Sequence, residues 1–326
     1  MSSGRKIKND IIYGLLRGVM SIIESLPRDM ALKFAGVLGE MAAIFDSKER
    51  HLAENNLRRA YGNAWDDEKI EMVARECFAQ LARNAADVIR SQQWDESELA
   101  DMVREVVGFE HFETAYARGR GVVGVTGHIG NFELLAAWFS SVKRVRLSVI
   151  GRKLYDERLD ELVIEHRERW GMENIPSDSP KRVLEALRNG RMLGVLMDLD
   201  SSRVAGYFVP FFGHPAKTAA GAIAIGRRTG SPVVPMALFR RPDDYYKIVV
   251  LPAFDIPCTD NKEEDIIMAL AQCNRALEEL INIDPTQWAW IHNRWKSKPA
   301  SGSDNKGGLP VADPAADGEE FGLSNA

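Results

Sequence analysis

Two periods divide the chain. Up to about residue 105 apolar residues recur at helical spacing; from about 106 to 251 short apolar runs alternate with helical stretches. Ile12, Leu15, Leu16, Val19, Ile22, Ile23 and Leu26 share one helical stripe, while Asp10, Arg17, Ser21 and Glu24 fall on other faces. The longest uncharged run in this segment is too short to cross a bilayer. Two readings of Ile7–Leu26 remain: a helix lying on a membrane surface, or one packed on the protein's own core. A second helix follows Pro27, from about Asp29 to Phe45. Ser47–Tyr61 reads as a third, stopped by Gly62, and Asp66-Asp67-Glu68 opens a fourth that passes through Cys77, Phe78 and Leu81.

After residue 106, Val122–Thr126, Arg146–Ile150, Met192–Met197, Val233–Phe239 and Tyr246–Leu251 read as strands. Phe132–Phe139, Glu157–Trp170, Pro180–Asn189 and Thr218–Thr229 read as the helices between them, and Glu263–Ile283 as a closing helix. The alternation predicts an α/β fold, a central, mostly parallel sheet flanked by helices, with an N-terminal helical layer. No Gly- or Pro-rich linker interrupts residues 27–298, which are expected to form a single domain behind an amphipathic helix at 1–26. Beyond Pro299 the composition shifts to Gly, Ser, Asp, Ala and Pro, so 299–326 is expected to be a disordered tail. Between Gly206 and Gly213, Tyr207, Phe208, Phe211 and Phe212 put four aromatics within six residues, flanked by Gly and Pro. That stretch reads as a poor regular strand, which either lines an apolar groove or fills the core. Thr218 reads as the N-cap of the helix after it.

Composition narrows the class without naming it. A hydrophobic fraction of 45% with 27% charged residues is that of a folded globular chain. Cys77, Cys258 and Cys273 form no metal-like cluster and cannot all pair with one another, which suits a reducing compartment. Most of the net charge of −5 comes from Asp304, Asp313, Asp317, Glu319 and Glu320 in the tail, so the rest is close to neutral. Residues 1–60 carry a slight basic excess, compatible with an anionic membrane surface or with a solvated helix face. No strongly basic patch with interleaved aromatics points to nucleic acid.

The candidate chemistry begins at Gly127-His128-Ile129-Gly130-Asn131-Phe132-Glu133, where a buried-strand pattern ends in a Gly-His corner. Strand ends of open α/β sheets gather ligands and catalytic groups. A histidine there, with Glu133 five residues on in the next helix to orient it, can act as a general base. Gly130 permits close backbone approach, and a helix starting near Asn131 would aim its first amides at the same place. Spacing alone is weak. With six histidines and 47 acidic residues in 326, chance supplies about one such pair, and a hydrogen-bonded structural histidine explains it as well. Asp198-Leu199-Asp200, after another strand, could hold a divalent metal as in nucleotide-sugar glycosyltransferases, or cap a loop. Arg152, just past a strand end, is the best-placed cation for developing negative charge, unless it only pairs with Asp156 or Glu157. Three of the seven tryptophans crowd into Gln287–Lys296, as core anchors or as a membrane-interface cluster.

In order along residues 7–298, these segments resemble the bacterial lipid A biosynthesis acyltransferases, the lauroyl/myristoyl transferases of the broader lysophospholipid acyltransferase-like superfamily. The carriers are His128-x4-Glu133, Asp198-x-Asp200, Phe208-Val-Pro-Phe-Phe-Gly213 with Ala216-x-Thr218, Val233-Val-Pro235, Asn274-Arg-Ala-Leu-Glu278, and Pro285-x-Gln-Trp-x-Trp290-x-His292-x-Arg-Trp295-Lys296. The histidine block is common to many acyltransferases; the Phe-Val-Pro-Phe-Phe-Gly and Gln-Trp-x-Trp-x-His blocks are far more specific. The resemblance implies transfer of a fatty acyl chain from an acyl carrier protein thioester to a hydroxyl of a lipid A precursor or similar glycolipid, at the cytoplasmic face of the bacterial inner membrane. It implies His128 as base, Glu133 as its orienting partner and Arg152 or helix-start amides at the oxyanion. Gly130, Asn131, Asp198, Asp200, Phe211, Phe212 and Thr218 are then substrate-side residues, with no metal, no cofactor and no nucleic acid. Residues 1–26 become a peripheral membrane-associating helix. A metal-dependent glycosyltransferase using Asp198 and Asp200, and a non-catalytic lipid-binding membrane-surface protein, are the competing readings. Basic residues for an acidic carrier protein are Lys143, Arg144 and Arg146, or Arg227, Arg228, Arg240 and Arg241. Relatives often carry Asp-Gln-Asp where this chain has Asp198-Leu199-Asp200, and a more continuously apolar N-terminal anchor.

Overall fold

The computed structural model describes residues 3–151, 153, 156–201, 204–299 and 309–311. Helices α1 (Ser3–Ser25), α2 (Arg28–Phe45), α3 (Ser47–Tyr61), α4 (Asp67–Arg90) and α5 (Glu96–Met102) come first. Next are β1 (Val103–Val107), α6 (Phe109–Tyr116), β2 (Val122–Thr126) and α7 (Phe132–Ala137), which runs into a π-helical turn at Trp138–Val142. Then follow β3 (Leu147–Gly151), α8 (Glu157–Arg169), β4 (Glu173–Pro176), α9 (Pro180–Arg188), β5 (Met192–Leu196), β6 (Gly206–Phe211) and β7 (His214–Ala219). The chain continues through α10 (Gly221–Thr229), β8 (Val233–Arg240), β9 (Tyr246–Val250), α11 (Lys262–Ile283) and β10 (Leu309–Val311). Helix starts carry the expected caps. Asp46 and Asp66 accept from the amides of Glu49 and Lys69, and Asp95 with Glu98 forms a reciprocal capping box.

The main sheet has the order β1-β9-β8-β2-β5-β3-β4, with only β8 and β9 antiparallel neighbours. Alternation along each strand sends side chains to two cores. In β2 and β8, Val123, Val125, Val233, Ala237 and Phe239 join the core under α9, α10 and α11. Val122, Val234, Met236 and Leu238 join the opposite core with Leu134, Leu135 and Phe139. The fold is therefore the α/β architecture that the alternating pattern implied, with helices on both faces and the N-terminal helices packed alongside.

One stretch differs from the sequence reading. Residues 206–219 form a β-hairpin, β6 antiparallel to β7, and Thr218 lies inside β7 rather than capping a helix, which starts only at Gly221. The turn is Phe212-Gly213, both with positive φ (48° and 73°), the backbone of a tight two-residue hairpin loop. Pro210 and Pro215 face each other in register, a position the small outlying sheet tolerates because prolines there remove no donor from the main ladder. Of the expected tail, only residues 299 and 309–311 are described; Leu309–Val311 pair antiparallel with β6.

The N-terminal layer is held by buried charge as well as by packing. Asp87 of α4 is fully buried and accepts from Arg28, Arg240 and the Tyr246 hydroxyl at 2.7–2.9 Å. Arg240 therefore faces inward, only 2% exposed, and leaves the candidate carrier-binding cluster; a buried carboxylate requires such a partner. In α1, Ile23 is buried while Ile11, Ile12, Leu15 and Ile22 stay exposed, and α2 exposes Val37, Met41, Ile44 and Phe45. Among the described residues no helix is long and apolar enough to cross a membrane.

Candidate active site

The site is built at the carboxyl end of β2. Gly127 lets the chain turn directly over Asp198, whose Oδ2 would stand 2.8 Å from any Cβ at that position. At Gly130 φ is +54°, and a Cβ would lie 1.8 Å from the Leu238 carbonyl oxygen, so no side chain fits. The amides of Gly130 and Asn131 donate to the carbonyls of Gln287 and Leu238 (2.7 and 3.0 Å). Asn131 then caps α7 through its Oδ1 and donates to Asn84 O and the Tyr246 hydroxyl. The close approach that the glycines permit is thus made by neighbouring backbone, and the corner carrying His128 is pinned on both sides.

The carboxylate on His128 is Asp198, not Glu133. Asp198 Oδ1 lies 2.9 Å from His128 Nδ1, and its Oδ2 accepts from the His128 amide at 2.6 Å and the Trp288 indole at 2.8 Å. Spacing within one helix favoured Glu133; the parallel pairing of β2 with β5 instead brings the end of β5 beside the His128 corner. Burial alone would raise the Asp198 pKa, but the charges of His128 and His292 and the hydrogen bonds hold it well below the usual carboxylate range. Burial would lower the His128 pKa; Asp198 by charge and hydrogen bond, and Glu133 by charge, reverse this to a net rise. Since ionised Asp198 can only accept, Nδ1 carries a proton and Nε2 of the neutral ring is left as the base.

Glu133 is paired with Arg167 of α8 through two contacts of 2.5 and 3.1 Å. Burial raises the Glu133 pKa, but Arg167, His166 and His128 outweigh it, so the carboxyl stays ionised. Both side chains are less than one-fifth exposed. Arg167→Met is accordingly expected to lower unfolding free energy by about 3 kcal/mol, because it strands a largely buried carboxylate. Urea denaturation measures this, and Arg167→Met combined with Glu133→Gln should recover part of the loss; an additive double variant would refute the pairing.

The remaining sequence candidates divide. Both oxygens of Asp200 are taken by Ser297, through its amide (2.6 Å) and hydroxyl (2.8 Å). Asp198 and Asp200 thus turn to different partners, and their oxygens do not converge as metal ligands would. Phe211 is fully buried against Trp288 and Trp295, and Thr218 is buried where it accepts from Arg294 and Asn274. Phe212 is half-buried at the hairpin turn near Trp290. Arg152 lies outside the described residues. The C-terminal tryptophans Trp288, Trp290 and Trp295 are core anchors, 0–5% exposed. Two groups at the site were not assigned a role from sequence. His292 packs its ring 4.5 Å from that of His128, and burial with the charge of His128 pushes its pKa down to about 4, so it stays neutral. Arg167 carried no local signal, since only the docking of α8 brings it to Glu133.

Two openings meet at Phe132, Glu133 and Arg167. An apolar slot of about 50 Å³ runs between the sheet and α7, lined by Leu135, Phe139, Leu147, Val149, Met192 and Met236 among others. A wider cleft of about 750 Å³ includes Lys153, Val163, Ile164, Asn174, Ser177 and Arg182. Phe132, which lines both, packs against the His128 ring with centroids 5.1 Å apart.

A family model described as bacterial lipid A biosynthesis acyltransferase matches residues 5–297. The chain is 25% identical to a lipid A biosynthesis lauroyltransferase of Escherichia coli (strain K12), over 86% of this chain and 90% of the relative. It is 24% identical to a lipid A biosynthesis palmitoleoyltransferase of the same strain, over 89% and 92%. A phosphatidylinositol mannoside acyltransferase of Mycolicibacterium smegmatis (strain ATCC 700084 / mc(2)155) is 25% identical, over 84% and 88%.

Proposed function

The chain belongs to the bacterial lipid A biosynthesis acyltransferase family, and on that premise we propose that it moves a fatty acyl chain from an acyl carrier protein thioester to a hydroxyl of a lipid A precursor or related membrane glycolipid. The observation that carries the reading is the His128–Asp198 pair, whose imidazole packs on Phe132, a residue that lines both the apolar slot and the wider cleft. In this scheme the slot receives the acyl chain, and the acceptor hydroxyl enters from the cleft. His128 Nε2 removes the hydroxyl proton as the oxygen attacks the thioester carbonyl. Asp198 fixes the tautomer and stabilises the imidazolium, as the aspartate does in a serine-hydrolase triad. The tetrahedral intermediate expels the carrier's thiolate, which takes the proton back from His128. Arg152, which follows β3 in the chain, is our candidate for the oxyanion. Glu133 supplies negative charge near the imidazole and holds Arg167 at the mouth of the slot. Neutral His292 is suited to a hydrogen bond with the incoming hydroxyl.

We assign the enzyme to the cytoplasmic face of the inner membrane as a peripheral protein. The support is the exposed apolar faces of α1 and α2, with α1 tied to α8, beside the cleft, by Arg158–Asp10 at 2.9 Å. A helix of this kind lies in the interface with its apolar side down. On this reading residues 1–26 attach and 27–298 catalyse. Of the basic clusters, Lys143, Arg144 and Arg146 are the better carrier-docking candidates: Arg240 is buried and Arg227 is largely buried on Asp265, whereas Arg144, although paired with Glu96, keeps its side chain 76% exposed.

The test is the purified chain, acyl carrier protein thioesters and a lipid A precursor in mixed micelles, with products read by mass spectrometry. A single added acyl group is the expected outcome. Lipid binding without turnover of any acyl donor would favour the non-catalytic reading instead, and activity abolished by a chelator and restored by Mg²⁺ or Mn²⁺ would favour the glycosyltransferase.

A further inference from the structure

The apolar slot has a built end. It runs along β5, where the residues facing it change character within one strand. Leu196 and Gly194 keep partial exposure although β5 is central in the sheet, whereas Met192, on the same face, is 4% exposed. Leu193 and Val195 point to the other core. Void therefore reaches Leu196 and Gly194 and stops at Met192, a depth of about 13 Å at roughly 3.3 Å per residue. Gly194 is in register with Gly124 of β2, so two adjacent strands present no side chain at the same level. Met192 extends into that gap: a Cβ on Gly124 would lie 2.2 Å from its terminal methyl carbon.

We propose that Met192 and the Gly124–Gly194 pair set the length of the acyl chain that the enzyme accepts, with Met192 as the end stop and the paired glycines as the passage leading to it. The inference rests on the reading of the slot as the acyl site. A slot of about 50 Å³ is too narrow to be a finished acyl tunnel, so the entering chain must displace side chains. Met192 and Met236 are the flexible ones that line it, while Phe139 and Leu147, both fully buried, form stiffer walls. A chain that reaches Gly194 meets no Cβ there, and one that goes further must push Met192 aside. Each methylene accommodated or refused changes transition-state binding enough to separate donors that differ by a few carbons.

Two substitutions act in opposite directions. Gly194→Ala adds a methyl 3.3 Å from Val149 Cγ1, which has to give by a few tenths of an ångström, and 3.5 Å from Leu147 Cδ1, an ordinary van der Waals contact that needs no movement. Alanine also suits a strand interior better than glycine, so folding is preserved while the passage narrows. Met192→Val removes the end of the stop and keeps a strand-compatible residue. The experiment measures kcat/KM of the full chain for lauroyl, myristoyl and palmitoyl carrier-protein thioesters with the same glycolipid acceptor, alongside thermal melts. Gly194→Ala should move the palmitoyl-to-lauroyl ratio toward lauroyl, and Met192→Val toward palmitoyl, each by on the order of tenfold. Ratios unchanged in both variants, with all donors falling together or not at all, would overturn the proposal alone. Failure of the unsubstituted protein to use any of the three donors would overturn the acyltransferase reading and this inference with it.

Discussion

Replacing His128 by alanine is expected to lower kcat for acyl transfer by about 10²–10⁴-fold in a protein that still folds, with some loss of thermal stability because buried Asp198 gives up one of its three donors. The corner does not depend on the imidazole for its shape: the Gly130 and Asn131 amides are held by Gln287 and Leu238, and the His128 amide by Asp198. The ring is only about one-tenth exposed and lies against Phe132 and His292, so the variant leaves a small void but no stranded charge beyond that of Asp198, which keeps two donors. Rates within fivefold of the unsubstituted enzyme would eliminate His128 as the base. Glu133→Gln is expected to cost less, because Glu133 acts on the ring through charge and its hydrogen bonds are spent on Arg167.

Asp198→Asn should be the second most damaging change, and its signature differs. Three donors converge on this carboxylate: the His128 amide and the Trp288 indole on Oδ2, and His128 Nδ1 on Oδ1. An asparagine oxygen can replace Oδ2, but its NH₂ then faces Nδ1 and obliges that nitrogen to accept. The ring proton moves to Nε2, and the base is blocked. The loss in kcat should approach about 10⁴-fold, as expected when an orienting aspartate is amidated and the wrong tautomer forms. The pH profile separates this from simple unfolding. In the unsubstituted enzyme kcat/KM should rise with pH through the His128 pKa, which is shifted above its ordinary value of 6.5. Without the Asp198 charge that limb should move to lower pH while the plateau falls. A limb at unchanged pH would show that Asp198 does not act on His128.

The same pair makes stability depend on pH with a definite sign. His128 has a raised folded pKa, so its contribution is complete below the unfolded value and is lost as pH rises through the folded one. Asp198 has a depressed folded pKa, so its contribution is complete above the unfolded value and disappears as pH falls. Both hold between about pH 4 and 6.5, and there the stability gap between the unsubstituted protein and Asp198→Asn should be widest.

Much of the fold was legible in local pattern. Strands β2, β3, β5, β8 and β9 fall within a residue or so of the apolar runs that marked them, and α8, α9 and α11 do the same for helical spacing. Those elements are each buried on a face that their own sequence declares. The strands β1, β4, β6 and β7 were not legible: β1 carries Arg104 and Glu105 and is mostly exposed, β4 is only four residues long, and β6 and β7 contain proline. Phe212-Gly213 was the available hairpin signal, and the aromatic run around it concealed it.

By itself the sequence determined the α/β class, the position of His128 at a strand end, and, through six ordered blocks, the family. It did so because periodicity, turns and motif spacing are properties of neighbouring residues. Only the tertiary structure decided which carboxylate the histidine meets. Asp198 lies seventy residues from His128 in the chain, and the parallel pairing of β2 with β5 is a long-range contact that no local period encodes. The same holds for Arg167 on Glu133, Arg240 buried on Asp87, and the tryptophans of Gln287–Lys296 as core anchors. In each case a charge or an aromatic surface was satisfied by whatever the packing of distant elements brought within reach, and that choice is made in three dimensions.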